Sequence, residues 1–285
     1  MKIRLSAFAD EASADFGKQL AALNEERIPF IELRGLDGKN IADLTEEEAK
    51  SYKKMLDAHG VAVWSIGSPL GKIDVKDDFS EHEKKAEHLF RLAGIFGAGK
   101  VRVFSFYTKS PETDEEEVFS RMCALVSLAD KYGLTLYHEN EKEIYGDTAP
   151  RCEKLLSAVE GLACVFDPAN FVQCGQDVGE ALKLLQPKTG YYHIKDALYK
   201  DGAVVPAGEG DGRIAEMISG IEKDTVLTLE PHLSVFEGYA SIDHTELKNT
   251  YTFESPRAAF AAAAEALRGV LRGCGFAEKD GFWEK

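Results

Sequence analysis

The sequence predicts a (β/α)8 TIM barrel. Strand-like and helix-like segments alternate eight times along the chain, which is the order a closed parallel sheet requires. Four of the later strand-like segments each run into an ionisable residue at their carboxyl end, where such barrels carry their chemistry. An open doubly wound sheet would place G-x-G-x-x-G after its first strand, and that position here is FADEAS (8–13).

In chain order, KIRLSAFA (2–9) is strand one, followed by Asp10, Glu11 and a helix over 13–26. IPFIELRG (28–35) is strand two; TEEEAKSYKKMLDAHG (45–60) is a helix with Thr45 as its cap and Gly60 as its stop. VAVWSIGSPLG (61–71) gives strand three, a loop and then a charged helix over 79–96 that Gly97 and Gly99 end. KVRVFSFY (100–107) is strand four, and the helix over 113–132 opens with acidic residues that suit a helix amino terminus. LTLYHENE (134–141) is strand five, with a helix beginning at Thr148-Ala149-Pro150, where Pro suits the first turn. LACVF (162–166) is strand six, with a helix over 177–185; GYYHI (190–194) is strand seven, then the Gly-rich turn PAGEGDGR (206–213) and a helix over 213–222. TVLTLE (225–230) is strand eight, and AAFAAAAEALRGVL (258–271) the last helix.

No composition break or linker divides residues 1–285, so one barrel domain is expected, with a long connection at 231–256 and a short extension at 273–285. The net charge of −15 argues against a phosphate-backbone partner, which rewards clustered Lys and Arg, and against anionic membrane surfaces. The first residues reach Asp10 and Glu11 before a signal-like apolar core forms, and the odd set of five cysteines has no C-x-x-C pair. Reduced thiols in a cytoplasmic protein are the expectation.

Taken singly, the strand-end residues Glu139, Asp167, His193 and Glu230 have bland readings: a solvated carboxylate, an Asp-Pro turn, a hydrogen-bonded core histidine. Taken together they do not. Three carboxylates brought to one barrel mouth repel one another unless a cation neutralises them. Three carboxylates and an imidazole suit one divalent ion, Mn²⁺ before Mg²⁺, Co²⁺ or Zn²⁺.

HENE (138–141), FDPAN (166–170), HIKD (193–196), GEGDG (208–212) and LEPH (229–232) resemble the xylose isomerase-like barrels, in particular the sugar phosphate isomerase/epimerase group related to the ketose 3-epimerases. The superfamily also contains inosose dehydratases and endonuclease IV. The resemblance implies that Glu139, Asp167, His193 and Glu230 bind one divalent ion and that Glu139 and Glu230 exchange a substrate proton. Asn170 stands where endonuclease IV and the ketose epimerases tend to have a histidine, and Ser65, Ser105 and Tyr107 stand on strands three and four; this disfavours multi-metal phosphodiester hydrolysis.

The expected activity is therefore a metal-dependent isomerase or epimerase that moves a proton next to a carbonyl of a sugar or polyol derivative. The rivals are a lyase or dehydratase using the same metal, and a partner-dependent barrel subunit. Asn170, Lys195, His232, Arg34 and Trp64 are the candidate substrate-binding residues. GEGDG could offer backbone N–H groups to an anion, but Glu209 and Asp211 beside them favour an unphosphorylated substrate. The connection 231–256 carries Phe236, Tyr239, Tyr251 and Phe253, so it is expected to cover the pocket and to supply a homo-oligomer contact.

Overall fold

The computed structural model describes residues 1–235 and 251–285. Eight parallel strands pair in chain order: β1 Lys2–Ala7, β2 Phe30–Leu33, β3 Ala62–Gly67, β4 Lys100–Val103, β5 Thr135–Glu139, β6 Ala163–Phe166, β7 Thr189–Ile194 and β8 Thr225–Leu229. β8 returns to β1 with Ile3 opposite Thr225 and Ala7 opposite Leu229, which closes the (β/α)8 barrel.

The surrounding helices are α1 Phe16–Glu25, α2 Glu46–His59, α3 Phe79–Phe96, α4 Pro111–Asp130, α5 Ala149–Ala158, α6 Pro168–Gln173, α7 Val178–Leu185, α8 Ile214–Ser219 and α9 Pro256–Gly273. Their ends follow local chemistry. Thr45 and Glu48 cap α2 reciprocally, and Gly60 stops it in the left-handed region at φ 67°. The last helix buries Ala259, Phe260, Ala263, Ala264, Leu267 and Leu271, the three-to-four spacing of a single inward stripe. None of the helices among the described residues is long and apolar enough to cross a membrane.

Among the departures from the expected elements are these four. β1 ends at Ala7, because Ala9–Glu11 turns inward and buries Asp10 and Glu11. α4 begins at Pro111 rather than Thr113, since Pro is compatible with a first helical turn. The residues after Asp167 form the short helix α6, with Asp167 as its cap. The terminal extension forms a hairpin, Ala277–Lys279 with Phe282–Glu284, that pairs antiparallel with the start of β1 and buries Trp283.

Of the connection after β8, Tyr251 and Phe253 stack at 6.2 Å, and the Tyr251 hydroxyl donates to Glu209 of the Gly-rich turn. Phe236 and Tyr239, and with them most of the expected pocket cover, lie outside the described residues.

One loop yields a pH prediction. Gly71 sits at φ 89°, and a Cβ there would lie 1.9 Å from the Phe104 carbonyl oxygen, so only glycine fits. Its N–H donates to Nε2 of buried His82 at 2.9 Å. Burial, with Lys85 and Arg121 adding to it, draws His82 down from 6.5 to about 4. The folded state therefore binds this proton less tightly than the unfolded chain, so the contribution is full above about 6.5 and is lost as pH falls towards 4. The stability gap between the wild type and His82→Gln, which keeps an acceptor but does not titrate, should shrink by up to about 1.4 kcal/mol per pH unit across that window. Denaturant unfolding at stepped pH measures it; a gap constant with pH would sink the assignment.

Candidate metal and catalytic site

The carboxyl ends of β5 to β8 bring the four expected ligands together. Glu139 ends β5, Asp167 follows β6, His193 lies on β7 and Glu230 follows β8. All four are buried, and one donor atom from each lies within 4.8 Å of the others. His193 Nδ1 stands 3.0 Å from Glu139 Oε1 and 3.1 Å from Glu230 Oε2, although one ring nitrogen carries at most one proton.

Each carboxylate divides its oxygens between a fixed partner and the cluster. Arg102 Nη1 holds Glu139 Oε2 at 2.7 Å, leaving Oε1 for the cluster. Arg34 Nη1 holds Glu230 Oε1 at 2.7 Å, leaving Oε2. Asp167 Oδ1 accepts the Asn170 N–H at 3.0 Å as the cap of α6, leaving Oδ2. Lys195 Nζ stands 3.0 Å from Asp167 Oδ2, yet neither that oxygen nor Glu230 Oε2 receives a hydrogen bond of acceptable geometry. Three buried oxygens and one ring nitrogen converge, two of the oxygens without a hydrogen bond, and such a set fits a small divalent cation, to which hard oxygens donate.

The charges agree. Burial resists ionisation of Glu139, but His193 and Arg102 outweigh it and hold the carboxyl at about 2. Burial raises Asp167 to about 7, with Glu139 and Glu230 adding repulsion that Lys195 only partly offsets. Burial opposes the charge on His193 as well, but Glu139 and Glu32 overcome it and hold the ring well above its ordinary value. A second trio, Glu11, Glu230 and His232, also converges, but the Arg34 guanidinium already binds both of its glutamates, at 3.3 Å from Glu11 and 2.7 Å from Glu230.

The expected substrate-binding residues separate into two groups. Asn170 Nδ2 donates to the Asn140 carbonyl at 2.9 Å and reaches Glu139 Oε1 at 3.4 Å; Lys195 lies 4.0 Å from Glu230 Oε2; His232 Nε2 lies 3.6 Å from Glu230 Oε1; Arg34 binds Glu230 directly. Trp64 does not join them. It packs deeper in the barrel against Tyr191, Val165, Val226 and Tyr137, with Lys100 Nζ 3.9 Å above its ring. Its strand position points inward but too near the amino end to reach the mouth.

HENE gains a physical meaning from Asn140. Its side chain accepts the Asp167 N–H at 2.9 Å and donates to the Asp167 carbonyl at 2.8 Å, clipping the end of β6 to β5. The Gly-rich turn also has an occupant. Gly208 and Gly210 donate to Asp196 Oδ2 at 2.9 and 3.1 Å, and Gly212 to Oδ1 at 2.8 Å. The anion that GEGDG holds is the protein's own carboxylate, so this turn is closed to a substrate phosphate.

A model of the xylose isomerase-like TIM barrel family matches residues 20–268. The chain belongs to that family. Among solved structures, it is similar to the probable 3-DHS dehydratase AsbF from Bacillus anthracis, with a TM-score of 0.71 and 20% identity over 94% of this chain and 99% of that one. It is similar to D-psicose 3-epimerase solved in the presence of D-fructose, at 0.72 and 14% over 95% and 99%. It is also similar to the IOLI protein with a bound zinc atom, at 0.72 and 16% over 95% and 98%. At these identities the likeness speaks for the fold. Comparison with curated proteins finds no match.

In this xylose isomerase-like barrel, Arg102, Glu32, Asp10, Glu11 and Tyr191 are site residues that the sequence pattern did not single out. Arg102 and Glu32 had a signal: each is a charge flanked by apolar residues within a short strand, KVRV and FIEL, a position that is costly unless paired. Asp10 and Glu11 had none, because only the inward turn after β1 brings them to Arg34.

Proposed function

We propose that this mouth binds one divalent cation and isomerises or epimerises a sugar or polyol derivative by moving a proton beside a carbonyl group. The four-residue cluster carries the reading: it joins a cation site to two glutamates that enter from strands three places apart around the barrel. A bound Mn²⁺, Mg²⁺, Co²⁺ or Zn²⁺, held by Glu139, Asp167, His193 and Glu230, supplies Lewis acidity. Glu139 and Glu230 serve as the acid/base pair. One takes the proton from the carbon beside the carbonyl, and the C–H electron pair becomes the second bond of an enediolate. A proton returned to the same carbon on its other face gives the epimer; one returned to the neighbouring carbon gives the aldose or ketose isomer.

The two arginines fix the carboxylate rotamers, so that the oxygens facing the pocket do not swing away. Lys195, His232 and Asn170 are the groups that orient substrate oxygens, and Arg34 acts through Glu230. An elimination is the second reading, favoured by one observation: His232 stands beside Glu230, its Nε2 3.6 Å from Oε1, and an imidazolium placed there could protonate a leaving hydroxyl.

A panel of ketoses, aldoses, inososes and sugar acids incubated with Mn²⁺-loaded protein in deuterated water, followed by NMR, tests both. Deuterium entering a product of unchanged composition is expected. Loss of water would move the assignment to the lyase, and no exchange with any member in the presence of bound metal would overturn proton transfer altogether.

A further inference from the structure

Beneath the cluster, on the side of His193 away from the other ligands, lies a second polar group that the proposed chemistry does not use. His193 Nε2 is 3.2 Å from Glu32 Oε2. The other oxygen, Glu32 Oε1, accepts the Tyr191 hydroxyl at 2.9 Å, and that hydroxyl lies 3.4 Å from Ser65 Oγ. Glu32, Ser65, Tyr191 and His193 are all buried, at 1% exposure or less, so water does not compete for these bonds. Phe8 closes the remaining side of the imidazole, edge-on at 5.2 Å and 81°.

We infer that Glu32, held in place by Tyr191, is the positioning residue that selects which nitrogen His193 presents to the metal. This rests on the reading of the cluster as a cation site. Carboxylates only accept, and they stand at both ring nitrogens; with a cation engaging Glu139 and Glu230, Glu32 is the one left to accept from the ring, so the single ring proton would sit on Nε2 and the Nδ1 lone pair would face the cluster. The opposite tautomer would set a lone pair against a carboxylate and point an N–H at the cation. Tyr191 spends its one hydrogen on Oε1, which fixes the carboxylate plane and leaves Oε2 to the imidazole. Strands β2 and β7 are not neighbours in the barrel, so the contact crosses its interior and ties the ligand to the opposite wall. A carboxylate behind a metal-bound histidine ordinarily contributes 10–100-fold to affinity.

The test reads metal binding without turnover. Free Mn²⁺ is counted by its EPR signal during titration of the wild type, Glu32→Gln, Glu32→Asp and Tyr191→Phe. Glu32→Gln should weaken Mn²⁺ binding about 10–100-fold. Glu32→Asp should recover part of the loss, and Tyr191→Phe should show a smaller loss than Glu32→Gln. In the Zn²⁺-loaded wild type, ¹⁵N NMR should find the His193 proton on Nε2. Tight binding in the wild type with unchanged affinity in both Glu32→Gln and Tyr191→Phe would overturn the positioning role while leaving the metal site standing. No Mn²⁺ binding by the wild type would instead overturn the metal reading. If Glu32→Gln does not fold, Tyr191→Phe and the NMR tautomer decide the matter.

Discussion

Glu139→Gln and Glu230→Gln should each slow exchange of the substrate C–H proton with solvent by about 10²–10⁴-fold, the scale of a positioned acid or base. A glutamine keeps the size and one acceptor oxygen but cannot take the proton. Arg102 and Arg34 sharpen this expectation, because each guanidinium would be left facing an amide and the side chain would lose the partner that sets its rotamer. Circular dichroism and an Mn²⁺ titration must accompany the rate, since both glutamates are also proposed ligands. Supplying saturating Mn²⁺ separates the two effects: a rate that recovers to the wild-type value would make that residue a ligand only. Asp167→Asn and a His193 variant, by contrast, should recover with added metal wherever they still bind it.

Asp196→Asn should cost about 2–4 kcal/mol of stability and lower the unfolding midpoint by about 5–10 °C. The carboxylate accepts from three glycine amides and from the Ala197 N–H at 3.0 Å, and it is buried. An amide of the same shape would turn an NH₂ group towards backbone donors, leaving buried N–H groups unsatisfied. The turn cannot retreat to make room. A Cβ at Gly210 would lie 2.3 Å from Asp196 Oδ1, so the backbone already sits against the carboxylate. Calorimetry measures the loss; a midpoint within 1–2 °C of wild type would show that the turn finds other partners.

What could be read from the sequence follows the range of the interactions involved. The barrel and its strand order were legible because strand–helix alternation is local and repeats, and the ends of α2 were legible because Thr45 and Gly60 act within one turn. The four convergent residues were legible because each ends a strand, and parallel closure brings such ends together. Trp64 was misplaced, because inward alternation fixes a side but not a depth along the barrel. Arg102, Glu32 and the Asp10–Glu11 pair find partners 23 to 221 residues away in the chain, so even where a charge inside an apolar strand marks the residue, its partner is not written locally. The Gly-rich turn was legible as a set of N–H donors that could meet an anion, but their acceptor, Asp196, lies twelve residues upstream of Gly208 and carried no local signal.

The aromatic layer that holds Trp64 also determines traffic. Trp64, Tyr137, Val165, Tyr191 and Val226 fill the barrel below the cluster, and Tyr191 is fully buried. Among the described residues, this layer packs the barrel interior on the amino-terminal side of His193. A molecule bound at the proposed site would then come and go on the strand-end side, and product would have to vacate before the next molecule could seat itself. Accumulated product should therefore compete directly with substrate, and a bulky ligand lodged at the rim should arrest both arrival and departure.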